Sequence, residues 1–131
     1  MTTPFLCLAI VTFLPFVWGP FSIPARKAQL GRVDNKNPRA QQAQLTGLGA
    51  RALGAHKNAL EAIAMFAPAV LVAHLCGADP VWSARLAVTF VMARVLHGVF
   101  YLTDLDLARS GVFGIAFACA VGLFVLAGRA G

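Results

Sequence analysis

The chain has 131 residues, hydrophobic side chains make up 59% of it, and its mean hydropathy is +0.74. Eleven basic and five acidic side chains give it a formal net charge of +6. This apolar content exceeds that of ordinary soluble domains and indicates an integral membrane protein. We do not expect nucleic-acid binding, because the basic residues cluster in one connecting segment, as they do in cytoplasmic loops of membrane proteins.

The first predicted membrane span covers residues 4–23, and Pro15 and Pro20 are expected to kink it. Its apolar residues lack a basic region before them and a convincing cleavage site after them, so we interpret it as a retained span rather than a signal peptide. Residues 24–46 form a polar connecting segment with little room for a core of its own. Its charged side chains are mostly basic: Arg26, Lys27, Arg32, Asp34, Lys36 and Arg39.

Three further spans are predicted at residues 47–75, 81–102 and 110–127. The first of these is longer than the ~20 residues that a membrane crossing requires, so its opening three turns should project from the bilayer or line a wet cavity. Asp79 and Pro80 are expected to start the third span as its N-cap and first helical residue. The sequence therefore predicts one all-α domain over residues 1–131, built as a bundle of four transmembrane helices.

The number of crossings determines the topology. Four crossings place both termini on one side of the membrane and the first and third loops on the other. The positive-inside rule assigns the basic segment 24–46 to the cytoplasm, so we expect both termini to face outward. The polar head of the second helix and the loop before the fourth helix should then meet at the cytoplasmic face.

Polar side chains share one face of the second helix. Arg51, Asn58 and Glu61 are spaced by seven and three residues, which places them on the same side of a helix. A carboxylate in such a position is costly in lipid unless it is paired or hydrated. Two interpretations stay open: a structural network of ion pairs or hydrogen bonds between helices, and a binding site for a polar, zwitterionic ligand.

The third helix carries a second set of aligned polar groups. Arg94, His97 and Tyr101 are spaced by three and four residues and so share a face. Arg94 lies two turns or more from the loop, and we expect it to face the bundle interior and to find Glu61 or another acceptor. A lone tyrosine near a helix end is often an interfacial anchor, but three aligned polar groups favour a site.

Arg109 and Ser110 lie where the fourth helix is predicted to begin. One interpretation is a snorkelling arginine beside an N-capping serine. The other is an anion site made of exposed backbone N–H groups, the helix dipole and the guanidinium, which would lower the pKa of a thiol and stabilise its thiolate. No metal site is expected, because the histidines and cysteines lack ligand spacing.

Several strings together resemble one family across the whole chain. They are "DNKNPRAQ" (34–41), "RALGAHKNALEAIAMF" (51–66), "RVLHGVFYL" (94–102) and "ARSG" (108–111). In this order and spacing they resemble the MAPEG family, the membrane-associated proteins in eicosanoid and glutathione metabolism, and its small bacterial members most of all. The resemblance implies a homotrimer with the second helices around the threefold axis, in a bacterial inner membrane.

The resemblance also implies a binding site for glutathione between neighbouring subunits, near the cytoplasmic face. By position, Asn58 and Glu61 would hold the polar atoms of the peptide. Tyr101, helped by His97, would contact it from the third helix. The lipophilic electrophile would arrive laterally from the bilayer.

Charged residues complete the site that the resemblance implies. Arg26 or Lys27, at the end of the first helix, would meet a glutathione carboxylate bound by the adjacent subunit. Arg109 or Ser110 would lie beside the sulfur and favour its thiolate.

The chain departs from the catalytic members of the family at one position. These members usually carry an arginine four residues before the asparagine, where this chain has Gly54. Glycine supplies no charge for a carboxylate and weakens a helix by about 1 kcal/mol relative to alanine. Lys57 and Arg51 are the candidates to replace the missing charge.

Two functions follow from the resemblance. The first is a glutathione-dependent transferase or peroxidase that acts on lipophilic electrophiles or hydroperoxides through an activated thiolate. The second is a non-catalytic lipid-binding protein or accessory subunit of a larger membrane complex, which the glycine at position 54 favours. A small transporter or channel has little support, because the Phe- and Ala-rich helices offer no ring of charge.

Overall fold

The computed structural model describes residues 1–130, and Gly131, the last residue of the predicted domain, lies outside them. Over residues 1–130 the chain is helical and has no strand. The α-helices are α1 (Thr3–Trp18), α2 (Ser22–Leu30), α3 (Pro38–Gln42), α4 (Gly47–Leu75), α5 (Pro80–Leu102) and α6 (Asp106–Ala130), with a 3₁₀ helix at Gly19–Phe21. Four helical segments are long and apolar enough to cross a membrane, which confirms the predicted fold of an all-α, four-span membrane protein.

The first span is longer than the predicted residues 4–23. α1, the 3₁₀ helix and α2 follow one another without a loop and form one segment, Thr3–Leu30. The 3₁₀ turn contains Pro20, which cannot donate the backbone hydrogen bond of a regular α-helix. The segment ends at Gly31, whose φ of 75° is a left-handed conformation that glycine adopts without steric cost. Arg26 therefore lies on a helix.

The third span begins as the sequence predicts, whereas the fourth begins earlier than predicted. Asp79 caps α5, because its Oδ1 accepts a hydrogen bond of 2.8 Å from the backbone N–H of Trp82. The predicted start of the fourth span at residue 110 is wrong, since α6 begins four residues earlier, at Asp106. The carboxylate of Asp106 lies in the first turn, where it interacts favourably with the helix dipole.

Hydrogen bonds to two polar side chains order the segment between the first two spans. Arg26 is buried and donates from Nε to Gln41 Oε1 at 2.7 Å and from Nη2 to the Asp34 carbonyl at 2.9 Å. Backbone N–H groups of Asn37 and Lys36 donate to the Asp34 carboxylate at 3.1 and 2.8 Å. These two bonds stabilise the ionised form and hold the pKa of Asp34 below its ordinary value.

Small side chains let α4 pack closely against its neighbours. Its buried face consists mostly of alanines, and small residues at such positions allow transmembrane helices to approach one another. Further along, Phe66 of α4 stacks on Phe90 of α5, with ring centroids 4.0 Å apart and planes within 8° of parallel. This packing holds α5 beside α4 and positions the polar residues of the candidate site.

Candidate functional site

Four residues on one face of α4 form a row that we call the α4 stripe: Arg51, Gly54, Asn58 and Glu61. Their spacings of three and four residues align them along the helix, as predicted for the three polar members. α5 runs antiparallel to α4, so residues later in α5 contact residues earlier in the stripe. The contacts are Arg94 with Asn58, Tyr101 with Gly54, and Leu102 with Arg51.

Arg94 reaches the stripe at Asn58. It is 2% exposed, and its Nη2 donates to the carbonyl oxygen of Asn58 at 2.9 Å and also to the side-chain Oδ1. Asn58 in turn donates from Nδ2 to Glu61 Oε2 at 3.1 Å. The sequence analysis expected Arg94 to find Glu61 or another acceptor, and the acceptor is Asn58. Glu61 is connected to the guanidinium through the Asn58 amide.

The polar network has unused donors and an exposed acceptor. Nε and Nη1 of Arg94 are buried and find no hydrogen-bond partner within residues 1–130. Glu61, at the other end, is exposed. Since a carboxylate accepts from several donors at once, Glu61 can receive further hydrogen bonds from a cationic or amide group while it keeps the bond from Asn58. Arg94 thus fixes the orientation of an amide and a carboxylate that face outward.

Gly54 is where the Tyr101 ring lies against α4. A Cβ atom built on Gly54 would be 2.6 Å from Cε1, 2.7 Å from Cζ and 2.8 Å from the hydroxyl oxygen of Tyr101. Non-bonded carbon atoms prefer separations of about 3.5–4.0 Å, so this ring position requires glycine. A longer side chain at residue 54 has no space while Tyr101 keeps its place.

Tyr101 connects the stripe to α6. The Arg109 guanidinium carbon lies 4.4 Å from the centroid of the Tyr101 ring, a cation–π contact. The buried His97 packs edge-on against the same ring, with centroids 5.6 Å apart, and its other aromatic neighbour is Phe113 at 6.2 Å. The structure thereby brings together three residues that the sequence analysis singled out: Tyr101, His97 and Arg109.

Ser110 does not cap α6. It lies in the second turn because the helix begins at Asp106, and its hydroxyl donates to the Asp106 carbonyl at 3.0 Å. Serine commonly bonds back to the carbonyl four residues earlier when it is inside a helix. The free N–H groups of the helix start are therefore not at Ser110, whereas Arg109 lies in the first turn. Of the two residues, Arg109 is the one that meets Tyr101.

Arg51 holds the loop between α5 and α6. Its Nη1 pairs with Asp104 Oδ2 at 3.3 Å, and its Nε donates to the Leu102 carbonyl at 3.3 Å. The head of α4 and this loop therefore meet, as the four-crossing topology predicts. Asp104 was not among the predicted site residues. Its φ of 64° places it in the left-handed region, which aspartate tolerates better than most residues, but the sequence alone gives no signal of its pairing.

The remaining predicted cations are not on the stripe. Lys57 and Lys27 are exposed, and Arg26 is engaged within the polar segment. Arg26 lines a cavity of about 340 Å³ together with His56. Residues two apart in a helix point about 200° away from each other around its axis, so His56 and Gly54 face nearly opposite sides of α4. Within one chain, Arg26 and the α4 stripe thus belong to different surfaces.

The geometry defines what the stripe can bind. An oriented amide and an exposed carboxylate suit the ammonium and amide groups of a small peptide. A guanidinium over an aromatic ring, at the first turn of a helix, suits an anion. The combination fits a zwitterionic ligand with an acidic atom near Arg109.

Comparisons with known proteins agree with this architecture. A sequence model of the MAPEG family matches residues 3–129, which is nearly the whole chain. No curated protein and no solved structure gives a match.

Proposed function

The chain belongs to the MAPEG family, which includes glutathione transferases and peroxidases as well as non-catalytic members, and from this premise we propose that it is a glutathione-dependent enzyme of the membrane. It conjugates glutathione to lipophilic electrophiles, or uses it to reduce lipophilic hydroperoxides. The single observation that carries the proposal is the stack of Arg109 on Tyr101, directly beside the α4 stripe.

The stripe binds the peptide in this proposal. Glu61 accepts hydrogen bonds from the ammonium group of glutathione, and Asn58 bonds to the adjacent peptide group. Arg94 acts as a positioning residue, because its two bonds to Asn58 fix the amide that orients Glu61. Preorganised polar groups lower the entropy that binding costs, so they increase affinity without adding contacts.

Arg109 and Tyr101 act on the sulfur. The guanidinium stabilises the negative charge that appears when the thiol loses its proton to solvent, and the Tyr101 hydroxyl donates a hydrogen bond to the same atom. A lower thiol pKa increases the thiolate fraction, and the thiolate is the nucleophile. With an electrophile, sulfur forms the new bond and the leaving group departs with the electron pair. With a hydroperoxide, the thiolate attacks the terminal peroxide oxygen, the O–O bond breaks, and the alkoxide takes a proton from solvent and leaves as the alcohol. The sulfenic acid formed on glutathione then condenses with the thiol of a second glutathione to give the disulfide and water.

Gly54 changes how the carboxylates are held. The Tyr101 ring lies against position 54, which the family's enzymes usually occupy with an arginine, so that charge must come from another position. Arg51 is tied to Asp104, while Lys57 is exposed beside Asn58. We assign one carboxylate of the ligand to Lys57 or Arg51, at lower affinity than a bidentate arginine would give.

The assembly is part of the proposal. A homotrimer brings the surface that carries Arg26 and Lys27 of one copy against the α4 stripe of the next, which adds cations to a stripe whose own Arg51 is paired with Asp104. The basic segment faces the cytoplasm of a bacterial cell and both termini face outward, as the positive-inside rule predicts. The lipophilic substrate enters from the bilayer.

The contact between Gly54 and Tyr101 favours one alternative function. If the filled space excludes glutathione, the same fold serves as a non-catalytic lipid-binding protein or as an accessory subunit of a larger membrane complex. Arg94, Asn58 and Glu61 then stabilise helix packing alone.

An activity assay with matched variants tests the proposal. Purified wild-type protein should conjugate glutathione to chlorodinitrobenzene, or reduce a fatty-acid hydroperoxide in its presence. Activity should collapse in Arg109→Ala and weaken in Tyr101→Phe, which keeps the ring but loses the hydroxyl. Arg129→Ala, which removes a guanidinium at the far end of the same helix, is the control and should leave activity unchanged. A folded wild-type protein without either activity would contradict the proposal and support the non-catalytic alternative.

A further inference from the structure

A second cavity lies at the opposite end of the bundle from the α4 stripe. It has a volume of about 550 Å³, which is within the range of ligand pockets in proteins. The start of α1, the end of α4 and the start of α5 surround it, and Leu123 of α6 closes its inner end. None of the residues placed in the proposed glutathione site contributes to it.

The walls of this cavity separate an apolar interior from a polar mouth. Val70 and Ala73 of α4, with Leu123, are buried and form the interior, whereas Thr3 and His74 are exposed and lie at the mouth. None of the residues that line the cavity is Asp or Glu. The nearest acid, Asp79, uses its carboxylate to cap α5.

Hydrogen-bond donors predominate at the mouth. α1 begins there without a side-chain cap, so the Thr2 hydroxyl accepts no hydrogen bond from the first turn, whose free backbone N–H groups are those of Thr3 and Phe5 because Pro4 has none. The positive end of a helix dipole favours a negative charge at this position. The threonine hydroxyls and the His74 imidazole add further donors. These groups together favour a ligand head that accepts hydrogen bonds and carries negative charge.

Ser83 is a second and independent sign of a ligand site. It lines the cavity, is 7% exposed, and its Oγ has no hydrogen-bond partner within residues 1–130. A serine inside a helix usually bonds to the carbonyl four residues earlier, as Ser110 does, but the Ser83 hydroxyl makes no such bond to the Asp79 carbonyl, which accepts only from the Ser83 backbone N–H. Rotation about χ1 would let the hydroxyl donate to an acceptor atom in the cavity.

We propose that this cavity binds a single-chain fatty acid, with its alkyl chain between α4, α5 and α6 and its carboxylate at the mouth. The carboxylate accepts hydrogen bonds from Ser83, from His74 and from the start of α1. An alkyl chain matches the apolar interior, where it makes dispersion contacts with the buried side chains. The site is separate from the proposed glutathione site and does not depend on it.

Photolabelling in a lipid bilayer tests the proposal. The protein is reconstituted in nanodiscs of zwitterionic phospholipid, and a fatty acid with a diazirine in mid-chain is photolysed with increasing concentrations of oleate or oleyl alcohol. Mass spectrometry should place the label within residues 70–84 or at Leu123. Oleate should compete for this labelling in a saturable way, and oleyl alcohol, which lacks the charge, should compete at least tenfold less well.

Two variants with matched controls locate the ligand. Ser83→Ala should raise the half-competing concentration of oleate about tenfold, whereas Thr89→Ala, which removes an exposed hydroxyl from the same helix, should not change it. Ala84→Phe fills the cavity and should abolish the labelling, while Ala118→Phe, on the exposed face of α6, should preserve it. Labelling that oleate does not displace, equal competition by the alcohol, or no effect of Ser83→Ala would each overturn the proposal.

Discussion

Substitution of Gly54 by alanine tests the contact on which the candidate site is built. The added Cβ would lie 2.6–2.8 Å from three atoms of Tyr101, so either the ring or the helix must move. Overpacking of this kind costs about 1–3 kcal/mol. Alanine is also a better helix former than glycine by about 0.8–1.0 kcal/mol, which offsets part of that cost.

A matched glycine separates the two effects. Gly114 lies inside α6, and a Cβ added there would meet nothing within 4 Å. Gly114→Ala should therefore stabilise the protein by about 1 kcal/mol. Gly54→Ala should be less stable than Gly114→Ala by about 1–3 kcal/mol, the overpacking cost alone. The free energies of unfolding can be measured in mixed micelles by titration with a denaturing detergent, followed by circular dichroism.

A double-mutant cycle assigns the cost to Tyr101. In a Tyr101→Ala background the ring is absent, so Gly54→Ala should become stabilising by about 1 kcal/mol, as it is at Gly114. In the wild-type background, displacement of the ring should also weaken its contact with Arg109 and reduce activity. The reasoning is refuted if Gly54→Ala stabilises the wild-type protein as much as Gly114→Ala does.

Three further predictions concern the network, the loop and the polar segment. Arg94→Met should leave the free energy of unfolding within about 1 kcal/mol of wild type, since it removes a buried charge and the acid connected to it, Glu61, is exposed and remains hydrated. The same variant should raise the Kd for glutathione about tenfold because Asn58 is released, and calorimetry that finds an unchanged Kd contradicts this. Arg51→Gln and Asp104→Asn should each lower the free energy of unfolding by less than about 1 kcal/mol, and the double variant by no more than either, because the side chains of this pair are 31% and 67% exposed. A decrease of several kcal/mol in detergent unfolding would argue against this prediction. The pKa of Asp34, measured by carboxyl-carbon NMR, should lie below its ordinary value of 3.8. The contribution of Asp34 to stability is therefore fully present above pH 3.8 and is lost as the pH falls through the lowered pKa. A titration midpoint at or above 3.8 disproves this prediction.

The fold could be predicted from the sequence because local and compositional rules determine it. Long apolar runs predict the spans, and the bounds of α4 coincide with the predicted residues 47–75. The Asp79 cap followed from residue type and position alone. Helical spacing placed Asn58 and Glu61 on one face, and their hydrogen bond confirms that placement.

The contacts between helices could not be predicted in the same way. Whether Arg94 meets Glu61 or Asn58 depends on how far α5 is displaced along α4, and helical periodicity does not contain that displacement. The same displacement brings Tyr101 over Gly54, so a position that looked like a missing arginine proves to be a space filled by another residue. The start of α6 was misplaced because α5 ends in a tight turn, with Asp104 in a left-handed conformation and the Leu105 N–H bonded to the Phe100 carbonyl, and no apolar pattern reveals how soon after this turn the next helix begins.

The most direct test of the central claim is the ionisation of glutathione on the protein. Detergent-solubilised protein is titrated with glutathione while the ultraviolet absorbance of the thiolate is followed. We predict a saturable thiolate signal in the wild type that persists in Ser110→Ala, whose hydroxyl bonds to its own helix, and is lost in Arg109→Ala, which removes the guanidinium from the Tyr101 ring. A wild-type protein without a saturable signal, or an Arg109→Ala variant with the full signal, would contradict the account.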